Sequence, residues 1–197
     1  MLELNDLSMR TDDPFGVALK NINLSVRSGE IVAVAGVAGN GQSEFFGALS
    51  GEAISANKDA VKIDGAASGR EGITQRRRRD AAFVPEERIG HGAVQNFTLS
   101  ENVVLTHHAV GDALVRKGLI NSDAAQNVSS NVIELFDVRK STLDPEAQSL
   151  SGGNLQKFVV GREMALRPKV LVVNQPTWGV DAGAAALIRQ ALIDLAR

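Results

Sequence analysis

Eight residues restrict this chain most: Gly36, Val37, Ala38, Gly39, Asn40, Gly41, Gln42 and Ser43. They follow a continuous run of small apolar residues, 31–35, and lead into residues 43–49, which can form a helix that Gly51 ends. A short, uninterrupted apolar run predicts a strand buried on both faces. A buried strand that passes through a glycine-rich turn into a helix belongs to parallel α/β architecture.

The rest of the chain fits that class. Residues 2–8 read as a short strand. Residues 19–26 alternate through Ile22, Leu24 and Val26, which predicts a half-buried strand. Short strands are expected at 61–63, before a turn at Asp64-Gly65, and at 81–84, stopped by Pro85. Thr98-Leu99-Ser100-Glu101 has the form of a capping box, so a helix starts there; a second runs from Ser122 and Asp123 to about Phe136. Residues 98–145 therefore read as all-helical. A helix over 154–166, a buried strand over 170–173 and a final helix over 181–197 complete the pattern.

At 197 residues the chain suits one domain. Its net charge of −2 gives no general attraction for polyanions. Without cysteine it has neither a disulfide framework nor a thiolate metal site. No apolar run approaches the roughly 18–20 residues that span a bilayer, so a membrane role is expected to come through a partner.

The octet at 36–43 is set as a phosphate loop is set, after a strand and before a helix. Its glycines let the backbone curl so that several N–H groups face one centre, and the helix N-terminus adds partial positive charge. Ser43 stands at the hydroxyl position that ligates Mg²⁺. Gln42 stands where the pattern has lysine, and an amide cannot neutralise a phosphate. A tight strand-to-helix turn without ligand is the alternative for this octet alone.

A second cluster decides between them. Leu150-Ser151-Gly152-Gly153-Asn154 precedes a helix. An apolar strand then ends in Asn174-Gln175-Pro176-Thr177, and Gly179-Val180-Asp181 follows. In order and spacing the chain resembles the ATP-binding-cassette (ABC) transporter nucleotide-binding domain. That pattern is a phosphate loop, an L-S-G-G-Q signature, an apolar strand ending D-E-P-T, and a loop ending in Asp. The wording of Pro85-Glu86-Glu87-Arg88, of L-S-G-G-N-L-Q-K from Leu150, and of Gln175-Pro176-Thr177-Trp178-Gly179-Val180-Asp181 is similar to the C-terminal cassette of tandem sugar and nucleoside importer ATPases.

The resemblance implies a P-loop NTPase fold of the RecA-like kind, with a mostly parallel sheet, N-terminal antiparallel strands and a helical subdomain. Residues 1–97 and 146–197 would form the ATP-binding core and 98–145 the subdomain. It implies ATP and Mg²⁺ as cofactors, with Phe15 stacking on adenine and Glu86 at the usual Q-loop glutamine. Gly36, Gly39, Asn40, Gly41, Gln42 and Ser43 would hold phosphates. It implies a sandwich of two cassettes, each ATP lying between one phosphate loop and the other signature. Hydrolysis in such a site uses a lysine, an aspartate and a glutamate; here Gln42, Asn174 and Gln175 stand there. All three charges are gone, so the expectation is weak nucleotide and Mg²⁺ binding and deficient hydrolysis. Ser151, Gly152, Gly153, Asn154 and Asp181 are expected to complete the partner cassette's site. The implied partners are a second cassette upstream, transmembrane permease subunits and, indirectly, a solute-binding protein. The implied place is the cytoplasmic face of the inner membrane.

The family also adds, after the 181–197 helix, a strand lying between the 31–35 and 170–173 strands. A C-terminally truncated domain with unpaired backbone and exposed apolar surface is therefore expected. The four arginines Arg76 to Arg79 read as a solvated face rather than a nucleic-acid site, since acidic residues follow and no aromatics are interleaved. His107-His108 lacks convergent metal ligands. Trp178 suits either the rim of a cassette dimer or local packing. Two other functions fit less well: a competent ATPase of a non-transporter cassette class, and an interaction domain without nucleotide.

Overall fold

The computed structural model describes all residues except Asp12, Ala109, Gly111 and Asp112. Strands β1 (Leu2–Met9), β2 (Leu19–Val26), β3 (Val61–Ile63) and β4 (Ala66–Ala67) form an antiparallel sheet in the order β2-β1-β3-β4. Asp64 and Gly65 join β3 to β4 with both φ angles positive, 51° and 78°, the conformation that tight hairpin turns require. Helix α1 (Gln42–Ser50) follows the glycine octet and ends on Gly51 in the left-handed conformation. Short helix α2 (Ile73–Arg77) leads into β5 (Ala81–Val84).

The capping box forms as expected. The Thr98 side chain accepts from the Glu101 amide, and helix α3 (Leu99–His107) starts there. The all-helical reading of 98–145 needs correction. A small hairpin of β6 (Val115–Arg116) and β7 (Leu119–Ile120) precedes α4 (Ser122–Leu135). Two-residue strands leave no periodicity for a sequence reading to detect. Helix α5 (Gly152–Ala165), strand β8 (Val170–Val173) and helix α6 (Ala182–Ala196) complete the order.

Strands β5 and β8 pair in parallel, Ala81 opposite Val170 through Val84 opposite Val173. Alternation along them divides the interior in two. Ala81, Phe83, Val170 and Val172 pack with β1, β3 and α1; Val84, Leu171 and Val173 pack with α3, α4, α5 and α6. Both strands read as continuous apolar runs because both their faces meet apolar neighbours; β5 is buried throughout, whereas β8, expected as a buried strand, is half-buried at all its residues.

Residues 31–35, expected as a buried strand, form no strand and are exposed. Ile31 is 58% and Val34 61% exposed. Among the described residues none supplies a strand beside them, and a parallel strand without neighbours has no partner for its backbone groups. The apolar surface expected at this place is therefore open.

The arginine run is not a solvated face. Arg76 and Arg77 are buried. Arg76 Nη1 donates to the Ala48 and Leu49 carbonyls (2.5 and 2.7 Å), placing a cation on the C-terminal turn of α1. Burial pulls the Arg76 guanidinium down to about 10, so it stays charged at neutral pH. Arg77 pairs with buried Glu163 at 2.5 Å. Only Arg78 is exposed, while Arg79 is half-buried and pairs with Glu71. The sequence shows four like charges; the tertiary fold supplies the carbonyls and carboxylates that take them in.

Candidate nucleotide site

The expected site residues fall into two groups. The first surrounds the octet. Gly39 and Gly41 have φ of 85° and 98°, and Gly41 is the N-cap of α1. These values admit glycine readily and other residues only with strain. Residues 36–40 are exposed. The Glu44 carboxylate accepts from the Val17 amide at 2.9 Å, which ties the segment carrying Phe15 to α1. Phe15 is 95% exposed, so it packs in no core and offers a free aromatic face.

Gln42 turns back over the loop. Its Oε1 accepts from the Asn40 amide at 3.1 Å, and its Nε2 donates to the Val37 carbonyl at 3.0 Å. Asn40 Nδ2 reaches the same carbonyl at 3.0 Å. A Cβ on Gly36 would meet Gln42 Nε2 at 2.6 Å, so the carboxamide lies across the mouth of the curl. A phosphate loop works by aiming free N–H groups at an anion. Here one such N–H is already bonded to a side-chain oxygen of the loop itself.

Asn174 follows β8, its amide bonded to the Val84 carbonyl at 2.8 Å. Gln175 is exposed at φ 46° and opens a turn closed by the Trp178 amide on its carbonyl at 3.0 Å. Neither residue carries an anion for Mg²⁺. Ser43 is the second residue of α1 and carries the hydroxyl, and backbone groups of the loop are suited to phosphate.

The second group lies about the start of α5 and includes Gly152, which with Glu86, Arg88, Leu150, Trp178 and Gly179 among others lines a cavity of about 730 Å³; no residue of the octet lines it. Ser151 caps α5, its Oγ accepting from Asn154 Nδ2 at 2.9 Å. Asn154 Oδ1 in turn accepts from the Arg139 amide at 2.9 Å, which anchors the start of α5 to the end of the α4 region. Ser151 and Gly152 are exposed at the N-terminus of a 14-residue helix, a place that favours anions. Asp181 caps α6 through the Ala184 amide at 2.9 Å. That hydrogen bond holds its carboxyl below the ordinary carboxylate range. A Cβ on Gly153 would lie 3.9 Å from Asp181 Oδ2, so the structure brings these two expected residues together.

Two participants had no role assigned by sequence reasoning. Arg88 and Gln156 meet at 3.1 Å beside Trp178. Both lie inside quoted motifs, but nothing local shows that residues 68 positions apart make contact. His107, set aside as a metal ligand, is buried, and its Nε2 lies 2.8 Å from the Arg162 carbonyl. Trp178 is 66% exposed, its carbonyl bonded to Arg88.

Comparison with known proteins places these features in context. The profile of the ABC transporter family matches residues 19–178. A nucleoside import ATP-binding protein, NupA of Lactococcus lactis, is 34% identical over 98% of this chain. A glucose import ATP-binding protein, TsgD13 of Haloferax volcanii, is 37% identical over 93% of it. The chain spans only 38% and 34% of the lengths of these two relatives. Among solved structures, the dimeric ATP-binding cassette MJ0796 bound to ADP and Pi superimposes with a TM-score of 0.81, over all of this chain and 83% of that one, at 22% identity. That likeness speaks for the fold.

Proposed function

This chain belongs to the ABC transporter family as an ATP-binding domain, and on that premise we propose that it is the coupling cassette of an importer for simple sugars or nucleosides. Its own phosphate loop holds nucleotide weakly and does not hydrolyse it at a useful rate. Its signature turn, Ser151 to Asn154, and Asp181 complete the ATP site of a second cassette upstream in the same polypeptide. Permease subunits would hold the pair at the cytoplasmic face of the membrane, with a solute-binding protein acting through them. Residues 1–97 and 146–197 form the ATP-binding core in this reading, and 98–145 the subdomain.

One contrast carries the reading. The Gln42 carboxamide is hydrogen-bonded inside its own loop, whereas Ser151 and Gly152 stand exposed at a helix N-terminus. The first arrangement lowers what the loop can offer a phosphate. The second presents the Ser151 hydroxyl, which accepts from Asn154 and keeps its own proton to donate, and the first-turn amides of Gly152 and Gly153 to an anion approaching from outside. Asn174 and Gln175 supply neither the anionic support for Mg²⁺ nor the carboxylate that positions water, and catalysis of this kind is almost entirely positioning and electrostatics. The relatives' names, nucleoside import and glucose import, support the substrate class. The same loss of charge argues against a free-standing competent ATPase.

In the assembled transporter Ser151→Arg should abolish most ATPase activity by blocking the partner's site, while Gln175→Glu alone adds no second active site. Wild-type turnover in the Ser151→Arg protein would sink the proposal.

A further inference from the structure

The geometry points to Arg88 as a positioning residue that fixes the signature turn and the 176–181 loop in one register. Arg88 Nε donates to Gln156 Oε1 at 3.1 Å, and its Nη2 donates to the Trp178 carbonyl. Gln156 is itself 1% exposed and donates from Nε2 to the Pro176 carbonyl at 3.0 Å. The loop after β8 is thus held at two carbonyls by two side chains that also bond each other. These donors diverge from one rigid plane. A lysine, with one ammonium on a flexible stem, reproduces neither the spread nor the fork.

The guanidinium is also confined. A Cβ on Gly152 would meet Arg88 Nη1 at 2.7 Å, and a Cβ on Gly179 would meet Arg88 Nη2 at 2.8 Å. Gly179 has φ of 60°, so its backbone already favours glycine. Gly152 does not have positive φ. Apart from its own helix and chain neighbours, only Arg88 atoms lie within 4 Å of the Cβ it would gain, among the described residues. A side chain at position 152 would therefore have to displace the Arg88 guanidinium. Arg88, together with Gln156, joins the segment after β5, the start of α5 and the loop leading to Asp181. Any shift of one is passed to the others through this pair.

The consequence for ATP turnover rests on the proposed lending of the signature to a partner cassette; the structural tie does not. The test uses the full-length protein, assembled with its permease for turnover, and amide exchange followed by mass spectrometry. Arg88→Ala should raise exchange about ten-fold across residues 152–155 and 176–181, leaving residues 2–26 unchanged. Arg88→Lys should not rescue it. Gly152→Ala, which removes no side chain and keeps the test valid if Arg88→Ala does not fold, should loosen 176–181 by displacing the guanidinium. The double variant should be no looser than Arg88→Ala. Unchanged exchange at 176–181 in both single variants, or an additive double variant, overturns the tie. In the assembled transporter, Arg88→Lys should lower ATPase kcat about ten-fold with the KM for ATP nearly constant, as expected when orientation and not binding is lost. Loosened loops with wild-type kcat would confirm the tie and refute the lending of the signature.

Discussion

Replacing Gln42 with alanine removes two of the three side-chain hydrogen bonds within the phosphate loop, those to the Asn40 amide and the Val37 carbonyl, and leaves that of Asn40 Nδ2 to the Val37 carbonyl. Each is an exposed, neutral bond worth about 0.5–1.5 kcal/mol net. A polyphosphate that enters the wild-type loop must break them first, so their loss should tighten binding by about 1–3 kcal/mol, or about 5- to 150-fold. Gln42→Lys adds a charge. At about 4 Å and an effective dielectric of about 20, attraction to one phosphate charge reaches about 4 kcal/mol before solvation and ordering costs. For both pyrophosphate and ADP, affinity should therefore be highest in Gln42→Lys, intermediate in Gln42→Ala and lowest in the wild type. Calorimetric titration without Mg²⁺ isolates this effect from metal binding. Weaker binding by Gln42→Ala than by wild type would show that the carboxamide is a phosphate ligand and not a plug, and the reasoning would fail.

Packing and charge set three further outcomes. A Cβ at Gly161 would lie 2.6 Å from a Phe136 ring carbon and 2.8 Å from Val132 Cγ1, so Gly161→Ala should force α4 and α5 apart and cost about 1–3 kcal/mol in urea unfolding. Arg76→Met should cost about 2–4 kcal/mol in the same assay, because the Ala48 and Leu49 carbonyls lose their buried donor; a variant as stable as wild type would refute that role. Burial lowers the pKa of His107 from its ordinary 6.5, outweighing the Arg162 carbonyl and Glu163, which favour its protonation, while Arg162 and Arg77 oppose it. The unfolded chain then binds the proton more tightly, so stability is full above pH 6.5 and falls as pH drops below it, by at most about 1.4 kcal/mol per pH unit. His107→Gln should flatten that slope in pH-dependent urea melts. Glu163 acts at lower pH: burial pushes it up, but Arg162 and Arg77 together hold it below 4.5, so its contribution is lost only in stronger acid.

Motif order, helix caps and missing charges are legible in the letters alone. Thr98 caps its helix three residues ahead of the amide it binds, as its capping box predicts, and the turn at Asp64-Gly65 needs only its own backbone. Such interactions span one turn of chain, so spacing reveals them. The substitutions Gln42, Asn174 and Gln175 are likewise visible as letters. What those letters do required the fold. The octet shows an amide in place of a lysine, but the three-dimensional curl decides that the amide bonds the loop's own Asn40. A run of four arginines looks solvated until α1 and Glu163 are brought beside it. Residues 31–35 look like a core strand because their composition is right, yet a strand is made by its neighbours, and among the described residues no neighbour reaches them. Arg88 sits in an unremarked position of a quoted motif; only the meeting of Gln156, Trp178 and two glycines, distant in sequence, gives it a role. Local interactions are written in spacing, whereas ladders, buried charges and shared side chains depend on segments that meet only after the chain has folded.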